Sequence, residues 1–260
     1  MASPRPERIF GPDNRAVIIA LDHGLIDGPC RGFERPGDTI AAIVAGGPDA
    51  VLTSYGIARR FAAELDPVAV IVRSDGSESN LGSPSSGSVG KFFGAEDALR
   101  VGADALAVTA FPGSPAEAET LRNLAHTIGE AHRMDLPVMA EMVPGGFDAP
   151  PELRGPDAVA FAARLGAELG ADLIKAPHCD DFARVTESTF APVVILGGSK
   201  GSEAATLATI GAALDAGAAG VAMGRNVFQS ENPTAMTRAV VDVVHNGATP
   251  ETALHSNFNS

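Results

Sequence analysis

The sequence predicts a closed (β/α)8 barrel, a TIM barrel, built as a single domain over residues 1–260 with short extensions at both ends. Eight short apolar runs alternate with helical patterns, and several of these runs follow a glycine. This repetition of helix, glycine and strand is typical of βα units in a parallel sheet. The length of 260 residues also suits one α/β barrel. An open doubly wound sheet is the weaker alternative, since right-handed crossovers allow either architecture.

The predicted strands are continuous apolar runs, as expected of strands that are buried on both faces of a sheet. They cover residues 16–21, 50–53, 68–72, 105–109, 138–142, 173–175, 193–196 and 220–223. Helical patterns cover residues 38–45, 57–65, 95–101, 115–134, 157–169, 181–186, 202–216 and 233–245. Gly47, Gly102, Gly170 and Gly217 separate a helical pattern from the next strand, where a left-handed glycine would end the helix.

One connection, residues 73–93, is long and rich in Ser and Gly. A loop of this length is usually either functional or disordered. Because it follows the third predicted strand, it would lie on the catalytic face of a barrel. We interpret it as a segment that covers the substrate, or else as a flexible insertion without that role.

Composition excludes several classes of function. The formal net charge of −13 repels phosphate backbones, so nucleic acid is not an expected partner. No apolar run approaches the ~20 residues of a membrane span, and the N-terminus lacks the apolar core of a signal peptide. Cys30 and Cys179 are far apart and lack a metal-binding spacing, as expected of free thiols in a reducing cytosol. We therefore expect a cytoplasmic protein with no metal and no cofactor.

Lys175 ends the sixth predicted strand and is one of only three lysines in the chain. An amine in an apolar setting has its charged form disfavoured and becomes a nucleophile near neutral pH. Lysines placed in this way form Schiff bases with carbonyl compounds. The alternative is a structural lysine that pairs with a buried carboxylate.

Three further candidates lie at strand ends, where the residues of a barrel face its active site. Asp22 and His23 follow the first strand, and Glu141 lies in the fifth. Because side chains alternate along a strand, Glu141 points into the barrel if Met139 and Val143 do. A carboxylate there is costly unless it is paired or used, so we expect it to move protons or to pair with the lysine. Asp22 can alternatively cap the segment that follows it.

A phosphate site is predicted after the seventh and eighth strands, where barrels often bind phosphate through backbone N–H groups. Glycines permit close approach of the backbone, and an arginine can bind phosphate with two hydrogen bonds. The predicted site consists of Gly197, Gly198, Ser199, Lys200, Gly224 and Arg225.

Other polar residues are weaker candidates or have structural interpretations. Tyr55 and His178 follow the second and sixth strands and are weak candidates for the site. Asp104 begins a strand, at the end of the barrel that provides stability, and is interpreted as structural. Histidines on helices or the tail are expected to be solvated; they are His126, His132, His245 and His255.

Several motifs resemble those of the archaeal-type class I fructose-bisphosphate aldolases and their relatives. They are Asp-His-Gly at 22–24, Leu-Ile-Lys at 173–175, Gly-Gly-Ser-Lys at 197–200 and Gly-Arg-Asn-x-x-Gln at 224–229. The similarity runs from about residue 15 to 253. It implies a (β/α)8 barrel, a Schiff-base lysine at Lys175, phosphate binding at the two glycine loops, and a homo-oligomer, often a ring-built decamer.

The relatives include aldolases of sugar phosphates, enzymes of aromatic amino-acid precursor synthesis, and a thiolase for a phosphorylated breakdown product of autoinducer-2. Residues 22–35 and 227–233 resemble the thiolase branch. The fructose-bisphosphate aldolases carry Trp-x-Tyr-Pro-Arg at the fifth strand, with the tyrosine as proton donor. Here the segment is Glu-Met-Val-Pro-Gly at 141–145, so Val143 replaces the tyrosine and Glu141 replaces the tryptophan.

The predicted function is therefore that of a class I, metal-independent aldolase acting on a phosphorylated ketose or related carbonyl compound, other than standard fructose 1,6-bisphosphate. The main alternative is a thiolase-like enzyme that transfers an acyl group from a phosphorylated diketone to coenzyme A. A third is a phosphosugar-binding protein without catalytic activity, which only the loss of the tyrosine at Val143 supports.

Overall fold

In the computed structural model, eight parallel strands close into a barrel, and the structure describes residues 8–77, 79–82 and 89–258. The strands are β1 (Ala16–Leu21), β2 (Ala50–Thr53), β3 (Ala69–Arg73), β4 (Asp75–Ser77), β5 (Val89–Lys91), β6 (Ala105–Ala110), β7 (Val138–Met142), β8 (Leu173–Ala176), β9 (Val193–Leu196) and β10 (Gly220–Met223). The barrel order is β1-β2-β3-β6-β7-β8-β9-β10, and β10 pairs with β1 to close it. The predicted closed barrel is confirmed, and the open sheet is excluded.

Helices surround the barrel. They are α1 (Gly24–Asp27), α2 (Pro36–Val44), α3 (Tyr55–Arg60), α4 (Ala62–Leu65), α5 (Ala95–Arg100), α6 (Glu117–His132), α7 (Pro156–Glu168), α8 (Ala183–Ser188), α9 (Glu203–Asp215), α10 (Arg225–Phe228), α11 (Pro233–His245) and α12 (Pro250–Phe258), with a 3-10 turn at Pro151–Arg154. The single helix predicted over 57–65 was wrong. Phe61, at φ −115° and ψ 32°, interrupts it and separates α3 from α4. No described helix is long and apolar enough to cross a membrane.

The barrel interior is apolar along most of its depth and becomes polar at its carboxyl end. Inward positions carry Ala20 in β1, Ile71 in β3, Ala107 in β6, Met139 in β7 and Leu173 in β8, all in one buried cluster. Alternation along each strand places the residue two positions later on the same inner face. Those next residues are Asp22, Arg73, Thr109, Glu141 and Lys175. A polar layer therefore lies directly above the apolar core, where the residues of a barrel carry out chemistry.

The opposite end of the barrel is joined by aspartates. Asp49, Asp104 and Asp172 each precede a strand, and each accepts a hydrogen bond from a backbone N–H of a neighbouring strand at 2.6–2.8 Å. The structural interpretation of Asp104 is confirmed. These carboxylates satisfy N–H groups that would otherwise lack a partner where the sheet begins.

Two histidines that were expected to be solvated are instead paired at this end. His132 Nε2 lies 2.8 Å from Asp172 Oδ2. His245 lies between two carboxylates, with Nδ1 2.9 Å from Asp13 Oδ2 and Nε2 2.8 Å from Asp49 Oδ2. The expectation was wrong because helix C-termini here abut the aspartates that begin the strands.

The long connection after β3 contains secondary structure that the sequence did not predict. Residues 75–77 and 89–91 pair as the antiparallel hairpin of β4 and β5. The Ser- and Gly-rich part, residues 83–88, lies outside the described residues. The hairpin places Asp75 beside Arg73 at the carboxyl end of the barrel, where Asp75 is 2 % exposed.

Candidate active site

Lys175 and Glu141 form an ion pair inside the barrel mouth. They are register partners on adjacent parallel strands, β8 and β7, so their side chains emerge side by side. Lys175 Nζ lies 2.7 Å from Glu141 Oε1, and both side chains are buried. The apolar setting expected for the lysine was therefore wrong. The buried neighbours of Lys175 include ionised groups. The expectation that the Glu141 side chain points into the barrel is confirmed.

Arg73 lies at the centre of the polar layer. Its NH2 nitrogen lies 2.5 Å from Glu141 Oε2, its Nε donates to Asp22 Oδ2 at 2.8 Å, and its NH1 donates to Thr109 Oγ1 at 2.8 Å. NH1 also lies 3.4 Å from Asp75 Oδ1. Burial opposes the charge of the guanidinium, but Glu141, Asp22 and Asp75 together raise the pKa of Arg73 above its ordinary value. Arg73 of β3 thus joins groups from three other strands, β4, β6 and β7, and from the end of β1.

Two of the three carboxylates that contact Arg73, those of Asp22 and Glu141, are held in their ionised form. Burial alone would raise the pKa of Asp22, but the positive charges of Arg73 and Lys175 lower it to about 2. Burial likewise acts to raise the pKa of Glu141, and Lys175 and Arg73 reverse that effect and lower it. Both groups are therefore available as proton acceptors or as partners of a cationic intermediate at neutral pH.

Asp75 is a third buried carboxylate with the opposite behaviour. Its Oδ2 accepts the Thr109 backbone N–H at 2.5 Å, while Arg73 is its only cationic neighbour among the described residues. Burial outweighs the attraction of Arg73 and raises the pKa of Asp75 to about 6. The cluster of two cations and three carboxylates therefore approaches neutrality when Asp75 binds a proton.

His23 lies beside Asp22 and is held by packing. Its ring meets Phe228 edge-on at 5.1 Å between centroids, and its Nδ1 lies 3.7 Å from Asp22 Oδ1. That nitrogen is buried and has no hydrogen-bond partner within the described part of the chain. Burial lowers the pKa of His23, which favours the neutral imidazole. Gly224 makes room for the ring, because a Cβ there would lie 2.3 Å from His23 Cε1.

The two glycine loops lie side by side after β9 and β10, which are paired strands next to β8 and β1. Gly198 has φ +61°, a left-handed conformation. A Cβ at Gly197 would lie 2.5 Å from the Cβ of Met223. Both positions therefore require glycine, one for its backbone angle and one for close packing.

Asn226 links these two loops through hydrogen bonds. Its Nδ2 donates to the carbonyls of Gly197 at 2.6 Å and Ser199 at 3.2 Å, and its Oδ1 accepts the N–H of Gly201 at 2.8 Å. Arg225 adds a hydrogen bond to the Gly198 carbonyl at 3.2 Å. The first glycine loop is thereby fixed at three points by a buried amide.

The remaining predicted phosphate residues are more exposed. Arg225 and Lys200 lie at the surface, and Lys200 Nζ lies 3.4 Å from Glu203 Oε1. Ser199 is exposed beside them. The structure thus brings Lys175, Glu141, Asp22 and His23 together at the barrel mouth. The glycine loops lie next to them, at the ends of β9 and β10.

The other sequence candidates lie at the edge of this site. Val143, at the position of the expected tyrosine, is buried with Phe111 and packs against Leu196. Tyr55 stacks on Phe93 at 4.5 Å. His178 stacks on Phe182 at 5.6 Å, and burial lowers the pKa of this histidine.

Sequence reasoning missed Arg73, Asp75 and Thr109, and it gave Asn226 no role of its own within the Gly-Arg-Asn-x-x-Gln motif. Arg73 had a usable signal, since it is a charged residue at the end of an apolar strand, as Lys175 is. The predicted strand ended at 72, which left Arg73 in the loop. Asp75 depends on a hairpin that the sequence does not indicate. No group of three or more His, Cys, Asp or Glu residues within the described ranges is arranged to hold a metal ion.

The chain is similar to known aldolases in sequence and in fold. The sequence model of the DeoC/LacD family aldolases matches residues 16–230. The chain is 39% identical over 247 residues to 2-amino-3,7-dideoxy-D-threo-hept-6-ulosonate synthase of Halobacterium salinarum, covering 93% of this chain and 91% of that protein. It is 38% identical over 244 residues to 3-hydroxy-5-phosphonooxypentane-2,4-dione thiolase of Photorhabdus laumondii, covering 93% and 81%.

Among solved structures, an archaeal fructose 1,6-bisphosphate aldolase superposes with a TM-score of 0.83 at 30% identity, covering 93% of this chain and 99% of that one. A second structure of an archaeal fructose-1,6-bisphosphate aldolase, with the catalytic lysine covalently bound to a carbinolamine intermediate, superposes with a TM-score of 0.83 at 30% identity over 92% of this chain and 98% of that one. These matches confirm the resemblance stated from the motifs. The chain belongs to the DeoC/LacD family of aldolases.

Proposed function

We propose that this protein is a class I aldolase in which Lys175 forms a Schiff base with the carbonyl of a phosphorylated ketose or a related sugar phosphate. The observation that carries the proposal is the buried pair of Lys175 Nζ and Glu141 Oε1, 2.7 Å apart. An amine becomes a nucleophile when an adjacent base accepts its proton. The solved archaeal relative with a lysine-bound carbinolamine supports the same chemistry.

The first half of the reaction follows from this pair. Glu141 accepts a proton from the ammonium, and the neutral amine of Lys175 adds to the substrate carbonyl to give a carbinolamine. The protonated Glu141 then returns the proton to the carbinolamine hydroxyl, which leaves as water. The product is a cationic iminium beside the restored Glu141 carboxylate, which stabilises its charge.

The second half breaks or forms the carbon–carbon bond. In the cleavage direction, the bond between the carbons α and β to the iminium breaks, and its electron pair neutralises the iminium nitrogen to give an enamine. The β-hydroxyl loses its proton and becomes the carbonyl of the released fragment. Glu141, Asp22 and His23 are the groups at the site that can accept this proton. The neutral imidazole of His23 suits that role, because burial lowers the pKa of this side chain.

The phosphate of the substrate is proposed to bind at Gly197, Gly198, Ser199, Lys200, Gly224 and Arg225. Glycine turns commonly bind phosphate through backbone N–H groups, and Arg225 adds a positive charge beside Gly198. The loops follow β9 and β10, next to the strand that carries Lys175. Phosphate binding there would orient the carbonyl toward the amine, and such orientation lowers barriers by several kcal/mol, roughly.

Transfer to coenzyme A is the second candidate reaction. It is favoured by 36–38% identity to several 3-hydroxy-5-phosphonooxypentane-2,4-dione thiolases. The buried valine at position 143 differs from the tyrosine pattern of fructose-bisphosphate aldolases, which makes fructose 1,6-bisphosphate an unfavoured substrate. The two reactions differ in whether the fragment is released or transferred.

A product assay separates these functions. The protein is incubated with a panel of ketose phosphates and phosphorylated diketones, with and without coenzyme A, and products are identified by mass spectrometry. Release of an aldehyde or ketone fragment without coenzyme A supports the aldolase. An acyl-coenzyme A product supports the thiolase instead. Phosphosugar binding with no turnover in either assay would favour the non-catalytic binding protein.

We also propose that the protein is a homo-oligomer of a reducing compartment. Large apolar side chains on the outer surface support self-association, including Phe161 and Phe190 at 65% and 66% exposure. Both cysteines are free thiols. Light scattering coupled to size-exclusion chromatography tests the oligomer, and a monomer mass at micromolar concentration would contradict it.

A further inference from the structure

In each of the two ionised carboxylates at the barrel mouth, one oxygen contacts Arg73 and the other lies toward a different side chain. Glu141 Oε2 contacts Arg73, while Oε1 contacts the amine of Lys175. Asp22 Oδ2 contacts Arg73, while Oδ1 lies toward His23 at 3.7 Å. The arginine therefore occupies one oxygen of each carboxylate and leaves the other directed at groups that are proposed to react.

The planar guanidinium of Arg73 has the geometry needed to contact both carboxylates at once. Its Nε and NH2 both lie 2.8 Å from Asp22 Oδ2, and NH2 also reaches Glu141. NH1 contacts Thr109 and Asp75 on the other side. All three guanidinium nitrogens make contacts. They lie in one rigid plane, a geometry that the single ammonium of a lysine does not provide. Because Arg73 is 7 % exposed, water competes little for these contacts.

We propose that Arg73 is a positioning residue for the Schiff-base reaction, which it serves by fixing Glu141 Oε1 against the Lys175 amine and Asp22 Oδ1 toward the substrate. This inference rests on the proposed function of Lys175. Arg73 touches neither the amine nor the glycine loops in the contacts described, so it acts through the two carboxylates. Misplacing a reacting group by about 1 Å can cost about 100-fold in rate.

The charge of Arg73 makes a second, separable contribution. Glu141 faces Lys175 from β8, Arg73 from β3, Asp22 after β1 and Asp75 from β4. Removing the arginine leaves one cation, Lys175, opposite three carboxylates. Protonation of Glu141 then becomes easier, so any rate that needs its ionised form should fail at higher pH than in the natural protein.

The test compares Arg73→Lys and Arg73→Gln with the natural protein. The rate of borohydride-trapped adduct formation is measured from pH 4 to 9 with dihydroxyacetone phosphate, or with the member of the ketose phosphate panel that the natural protein traps. Arg100→Gln is the matched control, since Arg100 pairs with Glu96 and Asp97 on exposed α5. Thermal melting and circular dichroism report the folded fraction of each variant.

We expect Arg73→Gln to slow trapping about 100-fold at pH 7 and to move the acidic limb of the profile to higher pH. Arg73→Lys should slow trapping less and leave that limb near its natural position, because it keeps the charge and loses the planar fork. If Arg73→Gln does not fold, the slower trapping by folded Arg73→Lys decides the question. Arg100→Gln should match the natural protein.

Two results would overturn the inference while leaving the proposed function intact. One is trapping by the folded variants at the natural rate and with the natural pH profile. The other is a loss that only follows the folded fraction, with no change in the acidic limb. Absence of any adduct in the natural protein across the whole panel would instead overturn the proposed function, and the inference with it.

Discussion

Glu141 and Lys175 are register partners on adjacent strands, and their side chains meet at 2.7 Å within the barrel mouth. A parallel sheet places such partners on the same inner face, so the pairing is a direct consequence of the strand register. The pair supplies a proton acceptor beside an amine in a place that water reaches poorly. This relationship connects the fold to the proposed chemistry.

Replacing Glu141 with glutamine tests its role as the proton carrier. The amide keeps the size of the side chain but cannot accept a proton from Lys175. We expect the rate of Schiff-base formation to fall by about 10²–10⁴-fold, the usual contribution of a positioned acid or base. Glu130→Gln is the control, because Glu130 pairs with Lys91 at a separate, more exposed place. Full turnover by folded Glu141→Gln would remove this residue from the mechanism.

Alanine at Gly224 tests the packing that holds His23. The new Cβ would lie 2.3 Å from His23 Cε1 and 2.6 Å from the Ala20 carbonyl oxygen. We expect the free energy of unfolding, measured by thermal unfolding, to fall by about 1–3 kcal/mol, as for other overpacked sites. We also expect slower turnover. Gly56→Ala is the matched control, since a Cβ there meets nothing within 4 Å. Equal stability of the two variants would contradict this account of Gly224.

Alanine at Asn226 tests the link between the glycine loops. The change removes three hydrogen bonds that hold residues 197–201. We expect KM for the phosphorylated substrate to rise about 10-fold, since the loss of roughly 1.4 kcal/mol corresponds to a factor of ten. The kcat should change less. Asn246→Ala, which removes one exposed hydrogen bond to Asp242, is the control and should leave both constants unchanged. A normal KM in Asn226→Ala would argue against phosphate binding at these loops.

The pairing of His245 with Asp13 and Asp49 predicts a pH-dependent contribution to stability. Burial alone would lower the pKa of His245, but the hydrogen bonds to both aspartates outweigh burial and raise it. Because its folded pKa is raised, the charged His245 stabilises the fold fully below the unfolded pKa of about 6.5. This stabilisation is lost as the pH rises through the higher folded pKa.

His245→Asn should therefore lower the free energy of unfolding by about 1–2 kcal/mol at pH 6, and by less at pH 9. Chemical denaturation at the two pH values measures the difference. His126→Asn, an exposed change on α6, is the control. A pH-independent effect of His245→Asn would mean that the imidazolium does not contribute.

The barrel was predictable because its strands are short apolar runs separated by glycines. Residues 16–21, 50–53, 138–142, 193–196 and 220–223 were predicted with the bounds that the structure shows. Gly47, Gly102, Gly170 and Gly217 all have positive φ, as expected of helix ends. Local chemistry therefore determines the order of elements in this chain.

The site was predictable only in part, since its residues meet through the closure of the sheet. Strand ends indicated Lys175, Glu141 and Asp22, and the expected pairing of Glu141 with the lysine is confirmed. The sequence did not indicate the arginine that joins Glu141 to Asp22. The contacts made by Arg73 connect β3, β4, β6 and β7 and the end of β1, and those contacts depend on tertiary geometry. The hairpin that brings Asp75 to this cluster has no signal in the Ser- and Gly-rich sequence around it.

The proposed chemistry depends on a Schiff base at Lys175. Borohydride reduction in the presence of each phosphorylated carbonyl compound, followed by peptide mass spectrometry, tests it most directly. We expect a stable adduct on the peptide that contains Lys175, and we expect Lys175→Met to abolish both the adduct and turnover. Turnover of a substrate with no adduct at Lys175, or full activity of Lys175→Met, would contradict it.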